Sequence, residues 1–229
     1  MISIKQDGLR YYEFEIFERK VSHAIFSRRG GVSSNPWVSL NMGGTVGDEP
    51  RRVTENRNRA LRALGKEPGS VFDVWQVHGT NVATAVTPRN PGQPHEHADA
   101  ILTNLPNITL MMRFADCVPI LLFDPILKVI GIAHAGWQGT INGIIPASID
   151  AMHMKYGSKP ANILAGIGPS IGPDHYQIGE EVANQVSSVF REESVDLLSI
   201  LDGAIFYNLW AAVQLQLVNC GVKTIEISG

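Results

Sequence analysis

Two apolar runs joined by an Asp-Pro dipeptide constrain the fold more than any other feature of this sequence. The stretch "CVPILLFDPILKVIGIAH" covers residues 117–134. Asp-Pro is typical of a turn, and short runs rich in Val, Ile, Leu and Phe are typical of strands. We therefore predict an antiparallel β-hairpin with its loop at residues 124–127, in which Phe123 faces Lys128.

This hairpin register places Cys117 opposite His134. Directly opposed residues have Cβ atoms about 4.5–5.5 Å apart on one face of the sheet, whereas a slip of one residue puts them on opposite faces. Pro119 also requires a position where no N–H is needed. The small neighbours of His134 in "GIAHAGW" leave room for a ligand beside the imidazole. A thiolate and an imidazole this close can share a metal ion, or act as nucleophile and base.

Other strand and helix signals are spread along the chain. Strand-like runs occur at 21–27, 71–77, 82–87, 108–115, 118–123, 128–134, 162–167 and 222–227, and helical patterns at 50–64, 139–156, 179–190 and 204–219. Pro146 is expected to kink or split the second helix. The Pro- and Gly-rich segment 87–100 is predicted to be a surface connection within one domain.

The order of these elements predicts the fold class. Consecutive strand runs in the middle of the chain favour antiparallel neighbours over the alternation of strands and helices in a doubly wound fold. We predict an α+β protein with mixed, largely antiparallel β-sheets covered by helices, as a layered α/β/β/α-type sandwich. Residues 1–229 are expected to form a single domain.

Composition excludes several classes of partner. The formal net charge of -3 gives no electrostatic reason to expect nucleic acid as a partner. The longest apolar runs are far too short to span a membrane, and the N-terminus is too charged for a secretory signal. Two cysteines do not make a disulfide framework. These features predict a cytoplasmic protein that binds neither nucleic acid nor membranes.

A third metal ligand is predicted at His78. It ends an apolar run in "VWQVHGTNV" and is followed by Gly, and His134 likewise ends an apolar run, with a Gly two residues further on. His95 and His97 of "HEH" offer an alternative site in the 87–100 loop. Two His and one Cys leave a fourth coordination position for water or substrate, as in catalytic zinc sites.

Three interpretations of these residues remain open. They could form a catalytic metal site, with Asp116 placed to orient a ligand. If Asp99 or Glu180 closes the fourth position, the zinc is structural instead. The same atoms could instead form a metal-free thiol hydrolase with Cys117 and His134 as nucleophile and base.

Two glycine-rich segments suggest anion binding or tight turns. Residues 26–48, "FSRRGGVSSNPWVSLNMGGTVGD", are dense in Gly, Ser and Asn. Backbone N–H groups there can converge on an anion, and Arg28 or Arg29 can add a planar cationic group. In "GIGPSIGP" (166–173) the spacing does not fit a phosphate loop and Pro169 removes a donor, so turns are predicted.

Six ordered motifs resemble the laccase-domain family. They are "SRRGGVSSNPWVSLNMG", "GDEPRRVTENR", "QVHG", "ADCVPILLFDP", "AHAGWQGT" and "GIGPSIGPDHYQIGEEV", and together they cover most of residues 21–183. That family is also called multicopper polyphenol oxidase, and its members are understood as purine nucleoside phosphorylases.

The resemblance implies a function and a cofactor. In the family, residues that match His78, Cys117 and His134 bind a catalytic zinc, for which copper can substitute. The implied activities are phosphorolysis of adenosine, inosine, guanosine and methylthioadenosine, with phosphate as co-substrate, and hydrolytic deamination of adenosine. The implied protein is a monomer or small homo-oligomer. A copper oxidase of phenols is the alternative, but seven His are few for a laccase's several copper ions.

On this hypothesis three further residues are predicted to contact the substrate. Arg28 is expected to bind an anionic group, while Asn41 and Gln76 make polar contacts with substrate or water.

The chain departs from the family pattern at three places. Gln138 replaces the Arg after the Trp of "HAGW", His175 replaces a Cys, and the family's C-terminal Cys-Thr and Phe-Ser-x-Arg-Arg segments are absent before residue 229. On the family resemblance, the first and third changes remove cations that are expected to hold phosphate. They imply either that phosphate is bound weakly or that the natural chain continues.

Overall fold

The computed structural model describes residues 1–228 of the chain as strands and helices around one central sheet. The strands are β1 (Ile2–Gln6), β2 (Leu9–Glu13), β3 (Ile25–Phe26), β4 (Val71–Asp73), β5 (Val82–Thr84), β6 (Ala100–Thr103), β7 (Thr109–Met111), β8 (Val118–Asp124), β9 (Val129–Ala135), β10 (Leu164–Ile167), β11 (Gln177–Ile178), β12 (Leu198–Leu201), β13 (Ala204–Tyr207) and β14 (Thr224–Ile227). The helices are α1 (Pro50–Ala63), α2 (Trp137–Asn142), α3 (Ile144–Tyr156), α4 (Glu180–Phe190), α5 (Ser194–Leu197) and α6 (Leu209–Asn219).

The central sheet has six strands in the order β14-β10-β8-β9-β6-β5. Smaller sheets are formed by β1-β2-β3, by β11-β13-β12 and by β4-β7. Most ladders are antiparallel, and the parallel ones are β10–β14, β4–β7 and β5–β6. The predicted single-domain α+β class with largely antiparallel sheets is therefore confirmed.

The two faces of the central sheet are covered differently. Alternate residues of the β8–β9 hairpin, such as Ile120 and Ala133, join a cluster with residues of α3 and α6. On the opposite face, Phe123 packs with Phe14 and Phe17, and Ile132 packs near the β4–β7 sheet. Since side chains alternate along a strand, His134 and Pro119 lie on this second face, away from those helices.

The predicted hairpin register is wrong by two residues. Asp124 pairs with Val129 and Phe123 with Ile130, so Pro119 rather than Cys117 lies opposite His134. The loop moves because Asp124 belongs to the strand and its Oδ1 accepts hydrogen bonds from the N–H groups of residues 126 and 127. A slip of two preserves the face of every side chain, so Cys117 becomes a diagonal neighbour of His134.

The predicted helices agree with the structure except at two places. The 139–156 pattern is two helices that meet at Gly143, whose φ is 91°. Pro146 lies in the first turn of α3, where its missing N–H is not needed. Residues 204–207 are strand β13 rather than helix, and α6 begins after Asn208, whose side chain caps it. None of the helices within residues 1–228 is long and apolar enough to cross a membrane.

Candidate metal centre

His134 is held on the buried side of the site by Asp99. The imidazole is 4% exposed, and its Nδ1 lies 2.9 Å from Asp99 Oδ1. A carboxylate only accepts hydrogen bonds, so Nδ1–H donates to Asp99 and Nε2 is left to bind a cation. The backbone N–H of His134 also donates to the Asp99 carbonyl at 2.7 Å. Both the position and the tautomer of His134 are therefore fixed by one residue.

The same carboxylate holds the turn that carries His78. Asp99 Oδ1 accepts from the N–H of His78 at 3.0 Å, and Oδ2 accepts from Gly79 at 2.7 Å and from Val77 at 3.2 Å. His78 has a φ of 58°, an uncommon conformation for a residue with a side chain. The hydrogen bonds to Asp99 stabilise this conformation, and the imidazole lies at the exposed edge of the site.

Cys117 enters from the loop before β8. Asp116, directly before it, has a φ of 70°, and the Cys117 N–H donates to the Ala115 carbonyl at 2.9 Å. The Asp116 carbonyl accepts from the N–H of Ile171 at 3.0 Å, so the 168–176 segment supports this loop. Within residues 1–228 the Asp116 carboxylate has no hydrogen-bond partner, and the orienting role predicted for it belongs to Asp99.

The three side chains converge as expected for a metal site. The candidate ligand atoms of His78, Cys117 and His134 all lie within 4.8 Å of one another. Cys117 Sγ is 3.9 Å from His78 Nε2, and the two imidazole centroids are 4.9 Å apart. Zinc bond lengths place tetrahedral S and N ligands about 3.3–3.7 Å apart, so a small contraction suffices for the set to share one ion.

Gly136 supplies the space that this arrangement needs. A Cβ at this position would lie 2.9 Å from Cys117 Sγ and 3.1 Å from His78 Cδ2. Any larger residue would push two of the three candidate ligands outward. The glycine is therefore explained by the space that Cys117 and His78 need and not by its backbone conformation, since its φ is -82°.

The electrostatics favour positive charge at His134, which lies between the Asp99 carboxylate and the Cys117 thiol. Burial alone lowers the pKa of His134, but the hydrogen bonds to Asp99 and Cys117 raise it to about 9. Burial alone likewise raises the pKa of Asp99, but His134 and the three backbone N–H groups hold it below its ordinary value. An ionised carboxylate behind the imidazole increases the basicity of a metal-ligating His.

The fourth position is not closed by the carboxylates considered from the sequence. Both oxygens of Asp99 are occupied by N–H donors, and Glu180 is an exposed residue in the first turn of α4. Two aromatic side chains lie nearby. The Phe114 ring centroid is 5.5 Å from that of His134. Burial and the charges of Cys117 and Asp116 raise the pKa of Tyr176 to about 12, so its phenol stays protonated beside the thiol.

The three predicted substrate contacts make hydrogen bonds within the chain. Arg28 donates from Nε and Nη2 to the Val38 carbonyl. Both Nδ2 hydrogens of Asn41 are used, on the Gly43 carbonyl and on a carboxylate. Gln76 exchanges two hydrogen bonds with the backbone of Arg113, at 2.7 and 3.1 Å. Each side chain keeps at least one donor or acceptor without a partner among residues 1–228, including Nη1 of Arg28, a lone pair of Asn41 and one Nε2 hydrogen of Gln76.

A basic cluster, consisting of Arg57, Arg89 and Arg113 around buried Asp73, lies on the Gln76 side of the site. Arg89 Nε is 2.6 Å and Arg113 Nη1 is 3.4 Å from the Asp73 carboxylate. Arg57 donates from Nε and Nη2 to the Met42 carbonyl and has no carboxylate partner within residues 1–228. Burial and the charges of Arg113 and Arg89 lower its pKa. No sequence motif pointed to this cluster.

Four of the five other histidines have side-chain hydrogen-bond partners among residues 1–228. His95 Nε2 is 3.2 Å from Asp73 Oδ2, and His175 Nδ1 is 3.0 Å from Asp174 Oδ2. His23 Nε2 accepts from the Phe14 N–H, and His153 Nδ1 is 3.1 Å from a backbone carbonyl. Within residues 1–228, one group of three potential ligands is close enough to share an ion, so the alternative site at His95 and His97 does not form.

Comparison with known proteins identifies the family. The sequence pattern of the multi-copper polyphenol oxidoreductase laccase family matches residues 22–229. The chain belongs to this family. The resemblance carried by the six motifs is thus confirmed, and the three candidate ligands lie within the matched part of this laccase-family chain.

Curated relatives of this laccase-family chain are named purine nucleoside phosphorylases. One from Streptomyces coelicolor is 41% identical over 169 residues, covering 73% of this chain and 69% of its own length. One from Deinococcus radiodurans is 37% identical over 209 residues, covering 91% and 79% respectively. The Escherichia coli protein YfiH is 33% identical over 201 residues, covering 87% and 78%.

Solved structures show the same fold. YlmD from Geobacillus stearothermophilus superposes with a TM-score of 0.90 at 29% identity, covering 98% of this chain and 86% of its own. The Bacillus licheniformis protein YfiH superposes with a TM-score of 0.89 at 28% identity and the same coverage.

Proposed function

We propose that this laccase-family protein is a zinc-dependent purine nucleoside phosphorylase that also deaminates adenosine. The observation that carries the proposal is the convergence of His78, Cys117 and His134 in a family whose curated relatives are named for phosphorolysis. Two imidazoles and one thiolate suit zinc, which prefers N and S ligands and keeps an open position in catalytic sites. Copper is a possible substitute because imidazole and thiolate also bind it.

The proposed reaction assigns specific roles to residues of this chain. In phosphorolysis a phosphate oxygen bonds to C1′ of the ribose while the bond from C1′ to the base nitrogen breaks, and the base leaves with the bonding electrons and takes up a proton. An ion held by His78, Cys117 and His134 would provide Lewis acidity for the oxygen nucleophile, which is phosphate in this reaction and water in deamination. Asp99 holds His134 and His78 in the positions from which both would bind this ion.

Phosphate binding is proposed for the basic cluster and for Arg28. Arg57 is half-buried without a carboxylate partner among residues 1–228, beside two more guanidinium groups and one aspartate. An anion there offsets the repulsion between these cations. The cluster is linked to the metal centre because Gln76, two residues before His78, holds the backbone of Arg113. Arg28 has Nη1 free for an anionic group, and Asn41 and Gln76 each have at least one polar site left for substrate or water.

Three other functions fit the residues of the site less well. A laccase needs several copper ions with many His ligands, and the three histidines other than His78, His134 and the 95–97 pair are scattered. A metal-free thiol hydrolase would use Cys117 and His134 alone and leave His78 and Gly136 without a purpose. A structural zinc needs a fourth protein ligand, and the geometry of Asp99 argues against it.

A nucleoside panel tests the proposal. Freshly purified protein is assayed with adenosine, inosine, guanosine and methylthioadenosine, with and without phosphate, and the released base and inosine are measured separately. We expect base release that requires phosphate, and conversion of adenosine to inosine that does not. Zinc measured by mass spectrometry is expected at about one ion per chain.

Paired cysteine variants provide the control. Cys117→Ala is expected to lose the metal and both activities, whereas Cys220→Ala, which removes the second half-buried cysteine, keeps them. Full phosphorolysis in Cys117→Ala contradicts the proposed site. Turnover that survives complete chelation of the metal supports the thiol hydrolase instead.

A further inference from the structure

Phe114 is an aromatic side chain whose position the fold alone does not explain. It is half-buried and lies between β7 and Cys117. It joins none of the three buried apolar clusters found within residues 1–228. Large aromatic side chains usually contribute most when they are packed in such clusters. A phenylalanine that stays partly exposed outside them has surface available for another molecule.

The contacts of Phe114 lie at the metal centre. Its ring centroid is 5.5 Å from the imidazole of His134, with the two planes at 52°. The ring is carried by the same loop as Cys117, three residues earlier in the chain. His134 is buried, Cys117 is half-buried and His78 is exposed. The site therefore opens towards the surface, and Phe114 borders it from the loop side.

A purine nucleoside needs a surface of this kind. The base is a flat, apolar-faced ring, and stacking on an aromatic side chain stabilises a bound base in a way that does not depend on which purine it is. The polar groups around the site can hold phosphate and ribose, but they provide no flat apolar face. Phe114 provides one next to a metal ligand.

We infer that Phe114 is the platform on which the purine base stacks. This inference rests on the proposed function and extends it, because it assigns the base to the loop between β7 and β8. It also accounts for a broad purine specificity, since a stacking platform reads the ring face and not the groups on its edge. Phe114 then acts on substrate affinity and not on metal binding.

The test compares variants that keep or remove the aromatic face. Phe114→Leu keeps an apolar cover over His134 but removes the ring, whereas Phe114→Tyr keeps the ring. We expect Phe114→Leu to raise the KM for inosine about 5- to 20-fold, within the range known for loss of base stacking. Phe114→Tyr should stay within about twofold of the wild type, and the KM for phosphate should be unchanged in both.

Two readouts do not depend on turnover. Hypoxanthine binding, measured by calorimetry, should weaken by the same factor in Phe114→Leu, and the metal content of both variants should equal that of the wild type. Phe206→Leu, which changes another half-buried phenylalanine in β13, serves as control and should leave every value unchanged.

The possible failures are distinguishable. If the wild type neither cleaves nor binds purines, the proposed function fails and the role of Phe114 fails with it. If the wild type does both and Phe114→Leu has the same KM and the same hypoxanthine affinity, only the stacking role is overturned. Loss of metal in Phe114→Leu also overturns it, because Phe114 would then support His134 instead.

Discussion

Asp99 joins His134 to the turn that carries His78 through a single buried carboxylate. It is fully buried and accepts hydrogen bonds from one imidazole and three backbone N–H groups. Residues 78 and 134 are far apart in the chain, so neither hairpin geometry nor local turn chemistry alone brings them together. The metal centre depends on Asp99 for its geometry.

The first prediction concerns Asp99→Asn. The amide keeps the size of the carboxylate, but its NH2 group faces N–H donors and leaves at least one of them unsatisfied. We expect zinc affinity to fall about 10- to 100-fold, as is typical when the partner of a metal-ligating His is lost. The measurement is a competition titration with a chromogenic chelator. Asp150→Asn, an exposed change on α3, is the control, and equal affinity in both variants would contradict the role of Asp99.

The second prediction uses two glycines that lie three residues apart. Gly136→Ala adds a methyl group 2.9 Å from Cys117 Sγ, so two ligands must move and we expect most of the bound zinc to be lost. Gly139→Ala meets its nearest atom at an ordinary 3.4 Å and lies inside α2, where Ala is favourable. It should retain the metal. The measurement is the zinc content of both proteins after gel filtration. A Gly136→Ala protein with a full complement of zinc would show that the ion lies elsewhere.

The candidate ligands could be predicted because the sequence patterns that mark them are local, and because a small error in the strand register does not change the prediction. The hairpin signal around Asp124-Pro125 fixed which face each side chain occupies, and the register error of two residues kept Cys117 and His134 on one face. His78 was predicted because it also ends an apolar run and because it lies in the family motif.

The role of Asp99 was not predictable in the same way. Its partners are 20–35 residues away along the chain. It also lies at the end of the segment 87–100, which was predicted to be a surface connection. The basic cluster likewise arises from tertiary packing, since Arg57 belongs to α1 and Arg113 to the loop after β7.

The missed strands have a related cause. β1 is largely exposed and both strands carry charged residues, so their pattern is weak. The apolar run at 204–219 fits a strand and a helix equally well until Asn208 caps the helix. Short strands of this kind are set by their neighbours in the sheet more than by their own composition.

The third prediction tests the phosphate site. Arg57→Met removes a half-buried charge without a carboxylate partner among residues 1–228, and hydrogen bonds to charged groups contribute about 1.5–3 kcal/mol. We expect the KM for phosphate to rise at least tenfold while the KM for inosine changes little. Initial-rate measurements with phosphate varied at saturating inosine provide both values.

The control for Arg57 lies on the same helix. Arg62→Met removes an exposed arginine that pairs with Glu55 and should leave both KM values unchanged. A normal phosphate KM in Arg57→Met would remove the basic cluster from the proposed mechanism and leave Arg28 as the candidate.

The fourth prediction concerns stability in acid. Burial alone raises the pKa of Asp73, but Arg89, His95 and Arg113 outweigh it and hold the pKa below its ordinary value. A carboxyl group with a lowered folded-state pKa contributes stability that is fully present above its unfolded-state pKa of about 4. That contribution is lost as the pH falls from about 4 through the lower folded-state value. Protonation also leaves Arg89 and Arg113 without their counter-ion.

Asp73→Asn should therefore change the shape of the pH profile. The variant is expected to lose about 3 kcal/mol at neutral pH, since it leaves buried charges unpaired, and to show a flatter decline between pH 4 and pH 2. Urea unfolding followed by circular dichroism at each pH gives the free energy of unfolding, and Asp150→Asn is again the control. Parallel wild-type and Asp73→Asn profiles over that range would mean that Asp73 does not set the acid response, because only a group that titrates differently in the folded and unfolded states can bend the curve.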